Sequence, residues 1–430
     1  MLASLINIAA LSAGLYTAEP TPISWINNDW QTAKSQALEE NKFIAVNVWA
    51  TWCHTCLAMK NFVFTESVFE KIQSQHVWVA LDYDRPKNAE FFAKYSINAF
   101  PTFMVIDPKS DTILARWLGS GTAEEMVQFF RRLKPGSDDV LFRAQLSLSN
   151  QKYKEAVQIL ENNLTTEKDK LRRTRLLSAY AEALRKVDPE ACAKKNEVLL
   201  DQASNNAQGL DYVMLVSYCA SSLKEPSEKN RILSKIRDRL DKGLQSSDLN
   251  ISVDDHSTIL STLSSLHSQL GNDALAHRAK VQQMILLEKA ARDATSPTAR
   301  ATYDAHRLSC YMSLGEFAKA EHMLRQTEAA LPKGFNTPWR LALLYLRMRR
   351  YADGLAAINR AIELGYGPRR VRLFSAKIDL LVASGGHENA RQAANAIRKE
   401  IASQNKSLIR TSWLDELKSK EKKIQSPHSN

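Results

Sequence analysis

The 430-residue chain predicts two architectures in succession, a mixed α/β unit in its first third and an all-α array of helical repeats after it. Three observations carry this. Short β-branched apolar runs alternate with helical patterns as far as Lys134, the alternation expected of a sheet with helices on both faces. Beyond Asp138 the strand signal stops and helix follows helix. Late in the chain a period of 34 residues emerges: Tyr311, Gly315, Phe317, Ala320, Leu324 and Thr327 recur as Tyr345, Arg349, Tyr351, Gly354, Ile358 and Ala361. Only 14 glycines and 13 prolines are present, which favours helix over turn-rich sheet. The chain is too long for one ordinary core. It divides as 1–18, an apolar start; 19–136, the α/β unit; 137–255, helical hairpins that keep the repeat only in part; 256–402, further repeats; and 403–430, a charged helix or tail.

Trp30, Ala33, Ala37 and Leu38 lie at helical spacing within 29–41. Phe43-Ile-Ala-Val-Asn-Val-Trp49 reads as a buried strand, and Cys53-His54-Thr55-Cys56 opens an amphipathic helix directly after it. A second helix is expected from Thr65, with the threonine hydroxyl as its cap. Then come a strand at 77–81, a helix near 89–95, strands at 102–106 and 113–118, and a helix over 122–134. Pro135-Gly136-Ser137-Asp138 closes the unit.

The stretch that carries chemistry is Trp49-Ala-Thr-Trp-Cys-His-Thr-Cys56. A lone C-x-x-C also serves zinc, but a structural zinc site needs four ligands and no second pair follows in this unit, so no metal is expected. Thiol–disulfide exchange is the better reading. Cys53 falls at a helix N-terminus, where unpaired N–H groups favour a thiolate, the species that attacks a disulfide. Cys56, one turn on, can resolve the mixed disulfide. His54 and Thr55 would tune the pair, His54 stabilising the Cys53 thiolate when protonated; the plain alternative is an exposed turn histidine. Trp49 and Trp52 read as packing and surface walls.

This stretch resembles the thioredoxin family signature, and Ala99-Phe-Pro-Thr102 resembles that family's cis-proline loop. The resemblance covers about 23–134 and implies catalysis by Cys53 and Cys56 with Pro101 shaping the site. It further implies a client segment held near Trp52, Phe100 and Thr102, with Phe100 presenting its main chain. Gly119 fits the family's late glycine. Phe64-Thr-Glu-Ser-Val68 looks closest to the C-terminal domain of the bacterial transmembrane disulfide reductase. Two departures stand out: Asn47 occupies the place of a buried acid, and Ala80 that of the lysine accompanying it.

The repeat period is that of the tetratricopeptide family, and Leu314-Gly-Glu-Phe-Ala-Lys-Ala320 resembles its tight inter-helix turn. Tyr153-Lys-Glu-Ala156, Leu270-Gly-Asn-Asp-Ala274 and Gly385 to Ala390 look like further copies; 165–255 does not keep the period. Small residues at these places let paired helices approach closely. In this register Trp339, Leu343, Leu346 and Arg347 would face a groove, with Arg349, Arg350, Arg360, Arg369, Arg370 and Arg372 making it basic. Such a surface could grip carboxylates of a docking segment, or the arginines could simply be solvated. The net charge of +11 resides beyond the first unit; without a reading motif it does not suggest nucleic acid.

Five cysteines, Cys53, Cys56, Cys192, Cys219 and Cys310, do not make a disulfide framework, although a Cys192–Cys219 bridge is open. The apolar Leu2–Leu15 run with small residues near Ala13–Ala18 suggests export, though no Lys or Arg precedes it. The extracytoplasmic, periplasmic setting is therefore expected, with a cytoplasmic one as alternative. The tail from Lys418 is Lys-rich and expected to be disordered.

The functional expectation is a thiol–disulfide oxidoreductase, a reductase by its flanks, acting on protein disulfides with no cofactor beyond its own redox-active pair. If exported, it would draw electrons from a membrane donor, and its repeats would dock a peptide or protein. The alternative is a non-catalytic scaffold carrying a thioredoxin-like module.

Overall fold

The computed structural model describes residues 22–97, 99–131, 139–247, 249–404, 408–409 and 411–425. The expected export segment and the Pro135–Asp138 break lie outside them.

Five strands form one mixed sheet: β1 (Trp25–Asn27), β2 (Phe43–Trp49), β3 (His76–Asp82), β4 (Thr102–Asp107) and β5 (Thr112–Leu118), in the order β1-β3-β2-β4-β5. β2 is central, parallel to β3 and antiparallel to β4. The edge strand β1 is only three residues long, too short to show a period-2 signal in sequence. The pleat sends alternate side chains to two cores. Ile44, Val46, Val48, Val77, Val79 and Leu81 pack on one face with α1 (Trp30–Glu39) and α4 (Ala89–Lys94). Ala45, Trp78, Phe103 and Val105 pack on the other with α5 (Ala123–Arg131) and the segment after the cysteine motif. α1 and α5 are capped at the start: Asp29 accepts from the Thr32 N–H at 3.0 Å, and Thr122 and Glu125 cap each other reciprocally.

The motif opens α2 (His54–Ala58), which continues through a wide turn at Met59–Val63. Thr65 does not cap the next helix. Its hydroxyl turns back to the Asn61 carbonyl, and a 3₁₀ turn at Ser67–Phe69 leads into the short α3 (Glu70–Gln73). The chain must bend there because Phe64 and Phe69 both enter the same core.

The remainder is stacked antiparallel helices. The regular hairpins are Val140–Ser149 with Tyr153–Leu164, Val253–Gln269 with Asp273–Asp293, Asp304–Leu314 with Phe317–Ala330, Asn336–Arg347 with Tyr351–Leu364, and Arg369–Ala383 with His387–Ser403. Each turns at one left-handed residue, in order Gln151, Gly271, Gly315, Arg349 and Gly385, with φ from 58° to 80°. Five positions after each comes a small buried residue: Ala156, Ala276, Ala320, Gly354 and Ala390. Positive φ ends one helix, and a missing side chain lets the next lie close. In the copy beginning at Leu270 the buried small residue is thus Ala276, while Ala274 is exposed.

Between the first two of these hairpins, Lys170–Val187, Pro189–Glu197, Ala207–Ala220 and Pro226–Leu244 form an irregular stack around one core. Cys192 and Cys219 are disulfide-bonded within it, with Cα atoms 5.6 Å apart; Cys310 is free and buried. The tail is ordered further than its composition suggests. Thr411–Gln425 is a helix whose Leu417 and Ile424 are buried against the last hairpin, and Lys420 pairs with Asp379 and Glu416. Lys420 is thus counter-charged both from the neighbouring helix, by Asp379, and from its own, by Glu416.

Among the described residues no helix is long and apolar enough to cross a membrane.

Candidate active site

β2 delivers its C-terminal end, Trp49, to a short loop, and Cys53 follows as the N-cap of α2. The backbone N–H of Cys56 donates to Cys53 Sγ at 3.1 Å. Cys53 and Cys56 are bonded, with Cα atoms 5.2 Å apart, and only 7% and 2% of their surfaces are exposed. Phe100–Pro101 is a cis peptide, placed where β4 begins beside β2. Ala50 and the two cysteines form a small apolar cluster on which Trp49, Trp52 and Phe100 pack, with the Trp52 and Phe100 rings edge-on at 5.4 Å. The structure thus gathers Trp52, Cys53, Cys56, Phe100 and Pro101 in one place. Thr102 joins them differently from expectation. It is fully buried and its hydroxyl donates to the Ala99 carbonyl at 2.8 Å, so it shapes the loop and offers no side chain to a client.

Asn47 and Ala80 are cross-strand partners in β2 and β3, and both are buried. A buried acid does stand on this face, two residues further along at Asp82, opposite Trp49. Burial pushes its carboxyl up to about 6, against the counter-pull of the Tyr366 hydroxyl, which donates to it at 2.6 Å.

The helical array closes over this edge. The Asn336 side chain donates to the Thr51 carbonyl at 3.0 Å. Trp52 Nε1 donates to Asp84 at 2.6 Å, and Arg369 pairs with the same carboxylate at 3.4 Å while its guanidinium lies 4.0 Å from the centre of the Trp52 ring. Trp339 and Trp52 belong to one apolar cluster. His54 Nδ1 lies 2.8 and 2.9 Å from the two carboxylate oxygens of Asp254, to which Thr55 also donates at 2.9 Å. His54 Nε2 lies 3.2 Å from His306 Nε2. Burial pulls Asp254 towards the neutral acid, but the His54 hydrogen bond and the positive character around it outweigh burial, leaving the carboxyl below its ordinary range. Burial also lowers His306, to about 4. His54 and Thr55 therefore do more than sit beside the cysteines: with Thr51 and Trp52 they carry the contact between the motif and the array.

Asp254, His306, Asn336 and Arg369 were not legible as partners of the motif. Asp254 and His306 lie 200 and 252 residues from His54, and each sits in an ordinary amphipathic helix. Of the arginines expected to line a basic groove, Arg350, Arg360, Arg369, Arg370 and Arg372 each pair with a carboxylate of this chain. Leu343, Arg347 and Arg349 remain on the exposed side.

Residues 30–134 are a thioredoxin-like domain, matched by the family model of that description, and the chain as a whole joins it to a helical-repeat array. The domain is similar to part of the thiol:disulfide interchange protein DsbD of Colwellia psychrerythraea, with 28% identity over 71 residues. That match spans 16% of this chain and only 12% of that relative's length. The array is similar to a tetratricopeptide repeat protein from Parabacteroides merdae, at 14% identity, 66% coverage of this chain, 98% of that one and a TM-score of 0.41. The TPR2AB domain of yeast Sti1, solved as an HSP90 complex, is similar at 15% identity over 67% of this chain and 98% of that one, with a TM-score of 0.26. Likeness of that degree is to stacked hairpins in general; the repeat architecture here rests on the chain's own turns and small residues.

Proposed function

We propose that this chain is an extracytoplasmic thiol–disulfide oxidoreductase that reduces protein disulfides. The observation that carries the reading is the Cys56 N–H donating to Cys53 Sγ at the start of α2. A thiolate there gains a hydrogen bond and the helix-end field, so its pKa falls and its leaving ability rises. In the reduced protein the Cys53 thiolate attacks a client cystine, forming a mixed disulfide and releasing one client thiolate. Cys56, losing its proton, then attacks Cys53 Sγ and releases the second. Two electrons pass to the client, two protons follow to its sulfurs, and the Cys53–Cys56 disulfide remains. A dithiol donor, membrane-borne if the protein is exported, restores the pair. The loop around Phe100 and Pro101 holds an extended client segment by its backbone, and no cofactor beyond the cysteine pair is required. The Cys192–Cys219 bridge supports an oxidising compartment. The array's outer surface is available to dock a partner protein.

The near-complete burial of both motif cysteines favours a second reading, a scaffold whose module is closed. One experiment separates them. Cys56→Ser in the full chain should accumulate mixed disulfides with client proteins, while Cys53→Ser should not. If neither variant traps a client and the reduced wild type leaves a model protein disulfide intact, the scaffold reading stands.

A further inference from the structure

His54, Asp254 and His306 come together where the motif meets the array, and their donor atoms lie within 4.8 Å of one another. His54 comes from α2, Asp254 from the first turn of Val253–Gln269, and His306 from Asp304–Leu314. The two Nε2 atoms stand 3.2 Å apart, with ring centroids 4.0 Å apart and ring planes tilted by 54°, so the rings must swing apart for both lone pairs to meet one ion. Two nitrogens bound to one tetrahedral ion at ordinary Zn–N lengths stand about 3.3 Å apart. The far nitrogen of each ring is already engaged. His54 Nδ1 faces the Asp254 carboxylate, which can only accept while ionised, so the proton is on Nδ1 and the lone pair on Nε2. His306 Nδ1 faces Ser257 Oγ at 2.7 Å, and that hydroxyl is held in turn by Gln283 at 3.0 Å. Ligating histidines in metal centres share this outer arrangement, a carboxylate or hydroxyl on the far nitrogen that leaves the near one to the ion.

We propose that His54 and His306, with Asp254 as the charge-compensating third member, bind one divalent transition-metal ion of the zinc class across the contact between the redox motif and the helical array. Imidazole nitrogens favour such ions over magnesium or calcium. Asp254 is 2% exposed and holds its place through His54 and Thr55, whereas both rings are only part-buried. The site has two consequences. The ion ties the two parts of the chain together at the motif. On the oxidoreductase reading above, it also adds positive charge beside the residue that follows Cys53, favouring the thiolate.

Binding is measured on the full chain with Cys53 and Cys56 oxidised, so that motif thiols cannot ligate and catalysis plays no part. Equilibrium dialysis with Zn²⁺, and visible spectra with Co²⁺, should show one ion per chain. His306→Gln, which keeps a polar side chain in place, should lose it, as should His54→Gln. Asp254→Asn should weaken binding at least tenfold, and His322→Gln should leave it unchanged. Zn²⁺ should raise the unfolding midpoint of the wild type and not of the folded His306→Gln protein. Absence of stoichiometric binding to the wild type overturns the proposal, and so does undiminished binding by His306→Gln; either result would leave the cluster a hydrogen-bonded chain.

Discussion

Gly367→Ala is the sharpest probe of how the array is held on the motif. Gly367 has φ +55°, and a Cβ built there would meet the Asp84 carbonyl oxygen at 1.7 Å. No side chain fits at that distance, so the turn before Arg369 must withdraw from the end of β3. Four contacts go with it: the Tyr366 hydroxyl on Asp82 at 2.6 Å, the Arg85 guanidinium over the Tyr366 ring at 3.7 Å, and the Arg369 interactions with Asp84 and with Trp52. A left-handed alanine costs about 1 kcal/mol. A lost hydrogen bond to a charged group costs about 1.5–3 kcal/mol, and each cation–π contact about 0.5–2 kcal/mol. One such hydrogen bond and two cation–π contacts, added to the backbone strain, weaken docking by roughly 3.5–8 kcal/mol. The assay is the alkylation rate of Cys53 in the reduced full chain, with Trp52 fluorescence and urea unfolding alongside. Alkylation should accelerate at least tenfold. Gly271→Ala is the control, since Gly271 has φ +75° but nothing within 4 Å of the added Cβ, and it should cost only the backbone strain. If Gly367→Ala matches Gly271→Ala in stability and alkylation, the array is not seated on the motif through this turn.

Asp82→Asn should alter the pH dependence of stability. Burial pushes the folded carboxyl up to about 6 from its ordinary 3.8, so the fold favours the protonated form. That contribution is complete below about pH 4 and is lost as pH rises through 6. The asparagine variant, always neutral, should therefore gain on the wild type by about 1–2 kcal/mol between pH 5 and pH 8 in urea melts; a pH-independent difference would contradict the assignment. Arg349 holds φ 58° as a non-glycine residue, and Arg349→Gly should raise stability by up to about 1 kcal/mol, whereas a loss would mean its side chain matters more than its backbone. Replacing both Cys192 and Cys219 by alanine opens a loop with a sequence separation of 27 and should cost about 3 kcal/mol, read as a lower midpoint in denaturant without added reductant.

Much of the fold was legible because it is local. β2, β3, β4 and β5 announced themselves as short β-branched runs, and the repeats as a 34-residue recurrence, since both follow from which side chains must leave water within a few residues of one another. The glycine at 315 and arginine at 349 aligned in sequence and proved to hold the same left-handed turn. Where reading failed, a non-local partner decided. Thr65 lost its helix because two phenylalanines on either side share one core. The tail from Lys418 became helix because Asp379 and Glu416 meet its lysine. The expected basic groove is largely neutralised because carboxylates from neighbouring helices reach its arginines.

By itself the amino-acid sequence determined the order of the two architectures, the cysteine pair at the mouth of a helix and the proline loop that faces it, all written within one strand–helix unit. Only tertiary structure decided what surrounds that pair: that Asp254, His306, Asn336 and Arg369 converge on residues 51 to 55. The physical reason is that side-chain periodicity reports which face of a helix is buried, not what it is buried against. Those four residues lie in four different helices, and only the stacking of the hairpins on one another brings them to one place.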